Sequence, residues 1–394
     1  MITLADLDFL CSTEGEKLLQ FLAQQDLSPK NHLSLVSQLR KTIPMTQLSH
    51  AITLTQTRAR ASGKFGDMAH QLFFTPDALE QASDPRIRAY RARRFSDKQI
   101  TDFCCGIGSD SLALAEFAES VIGVDSDPVR VAMARLNAEI LGITNAQFVV
   151  DDVTQRALSF TEAFFFDPAR RDESGGRLFG VENYAPPLST IRRWMGNFGA
   201  VKLSPAVDLS ELSAYAGQVE FLSVDGDLKE ALLWLDGEKS PRATALIEDN
   251  TYHWEHPAFL ADNKPISAPR QWLIEPDPAL IRAGLVQDVA EKWGMFMLDD
   301  TIAYLTSDHH PKSDWARAWK IWDWMPFNLK KLRIYLRERN IGRVTVKKRG
   351  SPITPEGLMA QLKLKGDDAC TVVLTRHLGN AIIIICAEYP DSWV

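Results

Sequence analysis

Apolar positions follow two different periods along the chain. Over residues 1–95 they recur every three or four positions, as in LLQFLAQQ and HLSLVSQL, and this spacing predicts helices. Thr75-Pro76 is typical of a helix start, with Thr75 as the N-cap and Pro76 at the first helical position. Residues 96–240 instead alternate short apolar runs with helical stretches. We therefore predict a helical N-terminal domain over 1–95 and a second domain over 96–240.

Seven short apolar, β-branched or aromatic runs in the second domain predict strands, and four helical patterns lie between them. The strands are expected at 99–104, 120–125, 146–150, 163–167, 199–204, 218–223 and 230–236, and the helices at 109–118, 127–141, 187–195 and 208–215. Strands that alternate with helices form a mostly parallel sheet. Asp225-Gly226-Asp227 predicts an antiparallel hairpin at its end. The expected fold class is α/β, with a doubly wound, seven-stranded sheet.

Residues 241–394 form the third predicted region. A stretch rich in Pro, Trp and His (242–278) precedes a predicted helix over 277–292. The tryptophans at 315, 319, 322 and 324 have helical spacing, which predicts a buried stripe on a helix. A basic helix is expected over 329–339. The end predicts a small α/β unit, with strands at 342–349, 370–377 and 380–389 and a helix at 355–364.

Composition limits the class of protein. A chain of 394 residues predicts two or three domains, and 45% hydrophobic with 24% charged residues is ordinary for a globular protein. No apolar run approaches the roughly 18–20 residues that cross a bilayer. The N-terminus is acidic, unlike a secretory signal. The five scattered cysteines and the histidines lack metal-ligand spacing. We expect a cytoplasmic protein without a metal or a membrane partner; its oligomeric state is not predicted.

Charge is distributed unevenly along the chain. The net charge of −7 argues against nonspecific nucleic-acid binding. However, the segment from Lys312 to Arg349 contains twelve Lys and Arg residues but only three acidic residues, and a second basic cluster spans Arg86 to Arg94. These clusters are compatible with a nucleic-acid partner despite the negative net charge.

The strongest chemical signal is the loop CCGIG at 104–108, which follows Asp102 at the end of a predicted strand. Small residues let the backbone approach a ligand closely, and the next helix offers free N–H groups. Asp125 ends the second strand, where an acid can accept hydrogen bonds from ribose hydroxyls. A dinucleotide site would need a third glycine where Ser111 stands. Asp102 would suit a cationic amino group better than a pyrophosphate, so S-adenosylmethionine is favoured over a nicotinamide cofactor.

These motifs resemble the class I S-adenosylmethionine-dependent methyltransferases. DFCCGIGSDSLALA is similar to the first motif of that family, VIGVDSDP to the second and AQFVVDDV to the third. The resemblance covers about 96–240. It implies a cofactor site formed by Asp102, Cys104, Gly106, Gly108 and Asp125, with Asp152 on the adenine amino group and Asp151 as its alternative.

Asp167-Pro168 closes the fourth strand and resembles the Asp/Asn-Pro-Pro-aromatic motif of nucleic-acid amino methyltransferases. The likeness implies that Asp167 and the Pro168 region hold an exocyclic amine. Ala169-Arg170 departs from the motif, which puts base stacking at residue 170 in doubt, although an arginine plane can also stack. The alternative is that Arg170 and Arg171 form a solvated or phosphate-contacting pair.

The first motif also resembles those of the 5-methyluridine and cap guanine-N2 enzymes. Methylation at C5 needs a cysteine nucleophile, and the stretch 201–205, where that family carries it, has none. Cys104 and Cys105 lie in the cofactor loop, where packing explains them, so transfer to a nitrogen is preferred. Lys202 has two open interpretations: it contacts substrate phosphate, or it is buried beside a paired acid.

GRVTVKKRG, LKLKG and VVLTRH resemble the THUMP-like domain that ends some bacterial class I methyltransferases, over about 320–394. LFFTPDALEQAS and YRARRF resemble the same group. THUMP domains are associated with RNA, and we expect Lys347, Lys348 and Arg349 to bind phosphates. The alternative is a solvated charged face.

The resulting hypothesis is an enzyme that methylates an exocyclic base nitrogen, such as guanine N2, of ribosomal or transfer RNA. The nearest rival is a methyltransferase of a protein or small molecule. More distant rivals are a catalytically inert RNA-binding module and a nicotinamide oxidoreductase.

Overall fold

The structure is a computed structural model, and it describes residues 2–154, 162–171, 176, 178–194, 197–237, 240–255 and 265–388. It contains two compact units. The first comprises Met1–Gln218 and Lys229–Lys239, and the second comprises Val219–Leu228 and Ser240–Val394.

Eight α-helices belong to the described part of the first unit. They are α1 (Leu4–Leu10), α2 (Thr13–Ala23), α3 (Pro29–Leu39), α4 (Met45–Phe65), α5 (Pro76–Gln81), α6 (Pro85–Arg93), α7 (Ser109–Ala115) and α8 (Pro128–Ile140). Side-chain caps fix several starts, and Thr75 accepts a hydrogen bond from the Ala78 N–H as the sequence predicted. The apolar faces of α1, α2 and α4 bury Leu22 and Leu48 in one core with Met133 of α8.

The first unit contains six neighbouring sheet strands, in the order β3-β2-β1-β4-β5-β7. Its strands are β1 (Gln99–Phe103), β2 (Ser120–Asp125), β3 (Ala146–Val150), β4 (Ala163–Phe166), β5 (Phe198–Leu203) and β7 (Asp227–Trp234), and β6 (Gln218–Val224) precedes β7 in the chain. The first five are parallel, and β7 runs antiparallel to β5. Asp225 and Gly226, both with positive φ, form the turn into β7, as predicted.

The second unit has two groups of strands and four helices. Strand β6 pairs in parallel with β8 (Pro241–Ile247), which pairs with β9 (Asn250–Glu255). A seven-stranded sheet contains β10 (Trp272–Pro276), β11 (Phe296–Asp299), β12 (Ile302–Ser307), β13 (Ala316–Pro326), β14 (Ile341–Lys348), β15 (Asp368–His377) and β16 (Asn380–Cys386), in the order β11-β12-β10-β13-β16-β15-β14. The helices are α9 (Pro278–Arg282), α10 (Val286–Lys292), α11 (Leu329–Glu338) and α12 (Pro355–Leu362).

Helices α11 and α12 cover one face of β14, β15 and β16. Leu332 and Leu336 of α11 and Leu358 and Leu362 of α12 are buried against Val372 and its neighbours. Strands β14 and β15 are parallel and joined through α12, so this part is a βαβ unit. It confirms the small α/β unit that the sequence predicted at the end of the chain.

The predicted helix through the four tryptophans is wrong. Residues 316–326 form β13, and Trp319 is buried there while Trp322 is 47% exposed. A spacing of four is even, so residues 315 and 319 share a side in a strand as well as in a helix. Tryptophan and isoleucine favour strands, and pairing with β10 and β16 places these residues in one.

Other predicted elements need smaller corrections. The helix expected over 277–292 is interrupted at Gly284, whose φ of +75° ends α9 before α10 begins. The stretch 242–278, to which no element was assigned, contains β8, β9 and β10. The helices expected near 187–195 and 208–215 are the short 3₁₀ turns Leu188–Arg193 and Leu209–Leu212.

Helix length and hydropathy also bear on membrane insertion. Of the helices that the structure describes, none combines the length and the apolar composition needed to cross a bilayer.

Candidate active site

The candidate site lies at the carboxyl ends of three strands, β1, β2 and β4. Strand β1 lies between β2 and β4, and all three are parallel, so the residues that follow them lie at one edge of the sheet. The Cys105 N–H donates to the Val124 carbonyl at 3.0 Å, and the Asp167 N–H donates to the Phe103 carbonyl at 3.2 Å. These bonds hold the loop after β1 between the ends of the other two strands.

The loop after β1 turns sharply. Cys104, Gly106 and Gly108 have φ values of +64°, +57° and +85°. A Cβ on Gly108 would lie 3.1 Å from the Cβ of Ala134, so this position packs too closely for a larger residue. A Cβ on Gly106 would meet no atom within 4 Å, so that side of the loop is open. The loop therefore leaves room for a ligand at Gly106.

Asp102 lies directly beneath this loop and is 1% exposed. Its Oδ2 accepts a hydrogen bond from the Ser111 hydroxyl, whereas its buried Oδ1 has no partner among the described residues. Burial, followed by the charges of Asp110 and Asp167, raises the pKa of Asp102 well above its ordinary value of 3.8. An unsatisfied buried carboxyl oxygen is where a cationic group would be stabilised.

Asp125 ends β2 and is 6% exposed. Its Oδ2 accepts from the Gly106 N–H at 2.9 Å, and its Oδ1 accepts from the Asp127 N–H at 2.9 Å. The Asp151 N–H donates to the Asp125 carbonyl at 3.0 Å, so the acids after β3 begin beside this position. Asp152 Oδ1 accepts from the N–H and hydroxyl of Thr154.

Both loop cysteines are poor nucleophiles in this setting. Burial, assisted by nearby carboxylates, raises the pKa of Cys104 and of Cys105 well above 9.0. The thiolate is the reactive form of cysteine, and raising the pKa removes it.

Asp167 follows β4 and has one occupied oxygen. Its Oδ2 accepts from Lys202 Nζ at 2.7 Å, and the structure gives no hydrogen bond to Oδ1 from any described residue. The Asp167 side chain is 24% exposed, whereas that of Lys202 is 3% exposed. Burial works to lower the pKa of Lys202, but the charges of Asp167 and Asp110 outweigh it and the net shift is upward. Of the two roles considered for Lys202, the geometry is that of a buried lysine paired with an acid.

A chain of buried ion pairs extends from Lys202 into the protein. Asp110 Oδ2 lies 3.8 Å from Lys202 Nζ, and its Oδ1 accepts from Arg91. Arg91 Nη1 donates to Glu230 Oε1 at 2.6 Å, and the Arg91 guanidinium lies 4.3 Å from the centre of the Phe165 ring. We call Glu230, Arg91, Asp110, Lys202 and Asp167 the buried charge chain. Part of the basic run 86–94 is therefore interior rather than a surface for a partner.

The arginines after Asp167-Pro168, which we call the fourth motif, have separate environments. Arg171 Nη2 donates to Glu80 Oε1 at 2.7 Å. The Arg170 carbonyl accepts from the Leu178 N–H at 2.8 Å, which brings Phe179, 76% exposed, close to the fourth motif along the backbone. Arg171 is thus held by an acid, whereas no ion pair of Arg170 is seen with the described residues.

The three basic residues predicted on β14 also differ. Lys347 and Arg349 pair with Glu275, Arg349 at 3.2 Å, and Lys347 lies over the Trp319 ring. Lys348 is exposed. The free basic surface of this unit instead continues along α11, where Lys330, Lys331 and Arg337 are exposed without an ion pair to any described residue. Sequence reasoning named the residues of β14 individually and α11 only as a basic helix.

The residues present fit S-adenosylmethionine. Asp102 Oδ1, which lacks a partner within the described ranges, suits a cationic amino group, and the open side of Gly106 admits a ligand against the backbone. No group of three potential metal ligands occurs in the part of the chain that the structure describes.

Family and sequence comparisons agree with this geometry. Family profiles match a methyltransferase domain over residues 100–167, a THUMP domain-like region over 316–388 and a domain of unknown function over 3–61. The chain is 32% identical over 340 residues to an uncharacterized S-adenosylmethionine-dependent methyltransferase of Mycobacterium tuberculosis (strain CDC 1551 / Oshkosh), covering 82% of this chain and 92% of that relative.

This chain belongs to the S-adenosylmethionine-dependent methyltransferases. A crystal structure of a protein from Porphyromonas gingivalis W83 superposes with a TM-score of 0.76 over 94% of this chain and 97% of that chain, at 19% identity, which supports the fold. A third similarity is local. A 23S rRNA (uracil(1939)-C(5))-methyltransferase of Pseudoalteromonas translucida is 48% identical over 60 residues, 15% of this chain and 14% of the relative.

The methyltransferase class, the α/β fold and the cofactor predicted from the sequence are confirmed. The roles assigned to single site residues stay predictions. Sequence reasoning missed Arg91, Asp110 and Glu230. A usable signal was present, because Lys202 is a charged residue in the otherwise apolar strand β5, where a charge needs an opposite partner.

Proposed function

We propose that this methyltransferase modifies RNA at an exocyclic base nitrogen, such as guanine N2. The observation that carries the proposal is Asp167-Pro168 at the end of β4, beside the cofactor loop, with Asp167 Oδ1 unbonded among the described residues. A carboxylate oxygen in that position can accept a hydrogen bond from an amino group and orient its lone pair.

Bound S-adenosylmethionine supplies an electrophilic methyl group. In the proposal Asp102, Asp125 and Asp152 hold the cofactor at the ends of β1, β2 and β3, together with the loop 104–108. Asp167 and a backbone carbonyl of the Pro168 region accept hydrogen bonds from the acceptor amine. The contribution of these residues is positioning and electrostatic stabilisation, which can account for most of the rate of such a transfer.

Covalent C5 chemistry fits the site less well. It requires a thiolate beside the pyrimidine, and Cys104 and Cys105 are held as thiols by burial. Stretch 201–205 on and after β5 has no cysteine. These two facts favour nitrogen over carbon as the acceptor, even though the local relative from Pseudoalteromonas translucida is named as a C5-methyltransferase.

The THUMP-like region supports RNA as the substrate. Its α11 carries exposed Lys330, Lys331 and Arg337, and exposed Arg343 and Lys348 follow on β14. Such residues bind a phosphate backbone without reading its sequence. In the proposal these five residues contact phosphate, whereas Lys347 and Arg349 are occupied by Glu275.

The test is calorimetric titration of S-adenosylmethionine into the wild type and Asp125→Ala, followed by transfer of a tritiated methyl group to unmodified rRNA and tRNA transcripts. We expect micromolar binding that weakens about 100-fold in the variant, because the hydrogen bond from the Gly106 N–H of the loop and the ribose acceptor are lost together. Nucleoside analysis of labelled RNA should give N-methylated guanine. Label in protein or small molecules but not RNA would refute the substrate, and label at C5 would refute the acceptor atom.

A further inference from the structure

The buried charge chain has a feature that simple structural support does not require. Four of its five side chains are at most 8% exposed, and only Asp167 reaches 24%. Buried ion pairs are weak contributors to stability, because removing two charges from water costs about as much as their attraction returns. A chain of alternating charges that ends on one partly exposed carboxylate in the crevice therefore calls for a functional explanation.

Lys202 cannot serve as a phosphate contact or as a proton acceptor. Its ammonium is enclosed, 2.7 Å from Asp167 and 3.8 Å from Asp110, and the two carboxylates keep it charged. What it can do is fix Asp167. Because Lys202 occupies Oδ2, the carboxylate is held in one orientation and Oδ1 stays available as an acceptor.

Asp110 and Arg91 restrain Lys202 in turn. Asp110 is the second residue of α7, directly after the cofactor loop, and Arg91 lies on α6. The Arg91 guanidinium forks between Asp110 and Glu230, whose Oε2 accepts from Ser83 at 2.9 Å. A planar guanidinium with both ends bonded has little freedom to rotate. The position of Lys202 is thus set from α6, which precedes β1, and from α7, which follows it.

We propose that Lys202 is a positioning residue for Asp167, the carboxylate that holds the acceptor amine, and that Asp110 and Arg91 keep Lys202 in place. The inference rests on the proposed function, since it gives Asp167 its role. It also gives α6 a role in the reaction, because Arg91 on this helix is joined to Asp167 through two intervening charges.

The test compares Lys202→Met, Lys202→Arg and Lys17→Met, the last being an exposed lysine of α2 in the same unit. Cofactor affinity is measured by calorimetry, and kcat and KM by methyl transfer to RNA. We expect Lys202→Met to lower kcat by about 100-fold while the cofactor Kd changes by less than about threefold. Misplacement of a group that positions the substrate, here the Asp167 carboxylate, lowers the rate by roughly that factor. Lys202→Arg should recover at least about tenfold of the loss, and Lys17→Met should match the wild type.

Two further measurements keep the result decisive. If Lys202→Met does not fold, Asp110→Asn is measured in its place. We expect this variant to lower kcat by a smaller factor and to leave the cofactor affinity unchanged. Crystal structures of the wild type and the variant with S-adenosylhomocysteine should show the Asp167 carboxylate rotated in the variant, whatever the substrate is. An unchanged carboxylate, or a wild-type kcat in Lys202→Met, overturns the positioning role. Failure of the wild type to label RNA, with Asp167 rotated in the variant, would refute only the proposed substrate.

Discussion

Replacement of Asp102 by asparagine should weaken cofactor binding and remove the part of its pH dependence that comes from Asp102. Asp102 is buried, and its Oδ1 has no partner in the part of the chain that the structure describes. Its pKa is raised well above 3.8 by burial and by the charges of Asp110 and Asp167. The free protein therefore carries a protonated Asp102 over part of the acidic range. If the carboxylate pairs with the cofactor amino group, binding must release that proton.

The magnitude follows from linkage. Below the pKa of Asp102 in the free protein, cofactor affinity should rise up to tenfold for each pH unit, about 1.4 kcal/mol, and it should level off above that pKa. Asp102→Asn loses a charge-assisted hydrogen bond worth about 1.5–3 kcal/mol, so its affinity should fall by roughly 10- to 100-fold. Because no carboxyl remains to titrate, this pH dependence should disappear.

The assay is calorimetry in two buffers of different ionisation enthalpy, between about pH 5 and 8. The difference in observed heat gives the number of protons released on binding. The cofactor amino group titrates identically with both proteins, so subtracting the Asp102→Asn data isolates Asp102. Asp97→Asn, the same change at an exposed position of this unit, should behave as the wild type. Equal pH dependence in the wild type and Asp102→Asn would refute the assignment of Asp102 to the cofactor amino group.

Three other predictions concern stability and RNA binding. Arg91→Met leaves Glu230 buried without its cation and leaves Asp110 with Lys202 at 3.8 Å, and it should lower the free energy of unfolding by about 3–5 kcal/mol in chemical denaturation. Lys330→Glu and Arg337→Glu on α11 should each reduce the slope of log K against log salt for RNA binding by about one. Burial raises the pKa of Asp277 to about 6, so its stabilising contribution is complete below its unfolded pKa and lost as pH rises through 6. Between about pH 4 and 7.5, the wild type should lose roughly 3 kcal/mol of unfolding free energy relative to Asp277→Asn.

Each of these has a control in the same chain. Arg60→Met removes an exposed arginine of α4 and should leave stability unchanged, and equal losses at residues 60 and 91 would contradict the argument from burial. Lys347→Met, whose ammonium pairs with Glu275, should leave the salt slope for RNA as it is. Parallel pH–stability curves for the wild type and Asp277→Asn would contradict the effect of burying that carboxyl, whose Oδ2 has no partner among the residues that the structure describes.

The sequence by itself determined the parallel sheet and the cofactor. Strand-length apolar runs alternating with helical patterns specify βαβ units, and the acids Asp102 and Asp125 stand at strand ends because parallel strands bring those ends to one edge. The glycine loop is equally local, since its positive φ angles and close packing need small residues. These features depend on neighbours in the chain, so the residues could reveal them.

Only the tertiary structure decided the partners of the charged residues. Arg91, Asp110, Lys202 and Glu230 lie on four different elements, and their pairing depends on how α6, α7, β5 and β7 pack. The same holds for Lys347 and Arg349, which read as a basic patch but pair with Glu275 about seventy residues earlier. The tryptophan strand β13 was missed because an even spacing suits a helix and a strand alike, and pairing with β10 and β16 resolved it. Long-range contacts of this kind leave no periodic trace in one sequence.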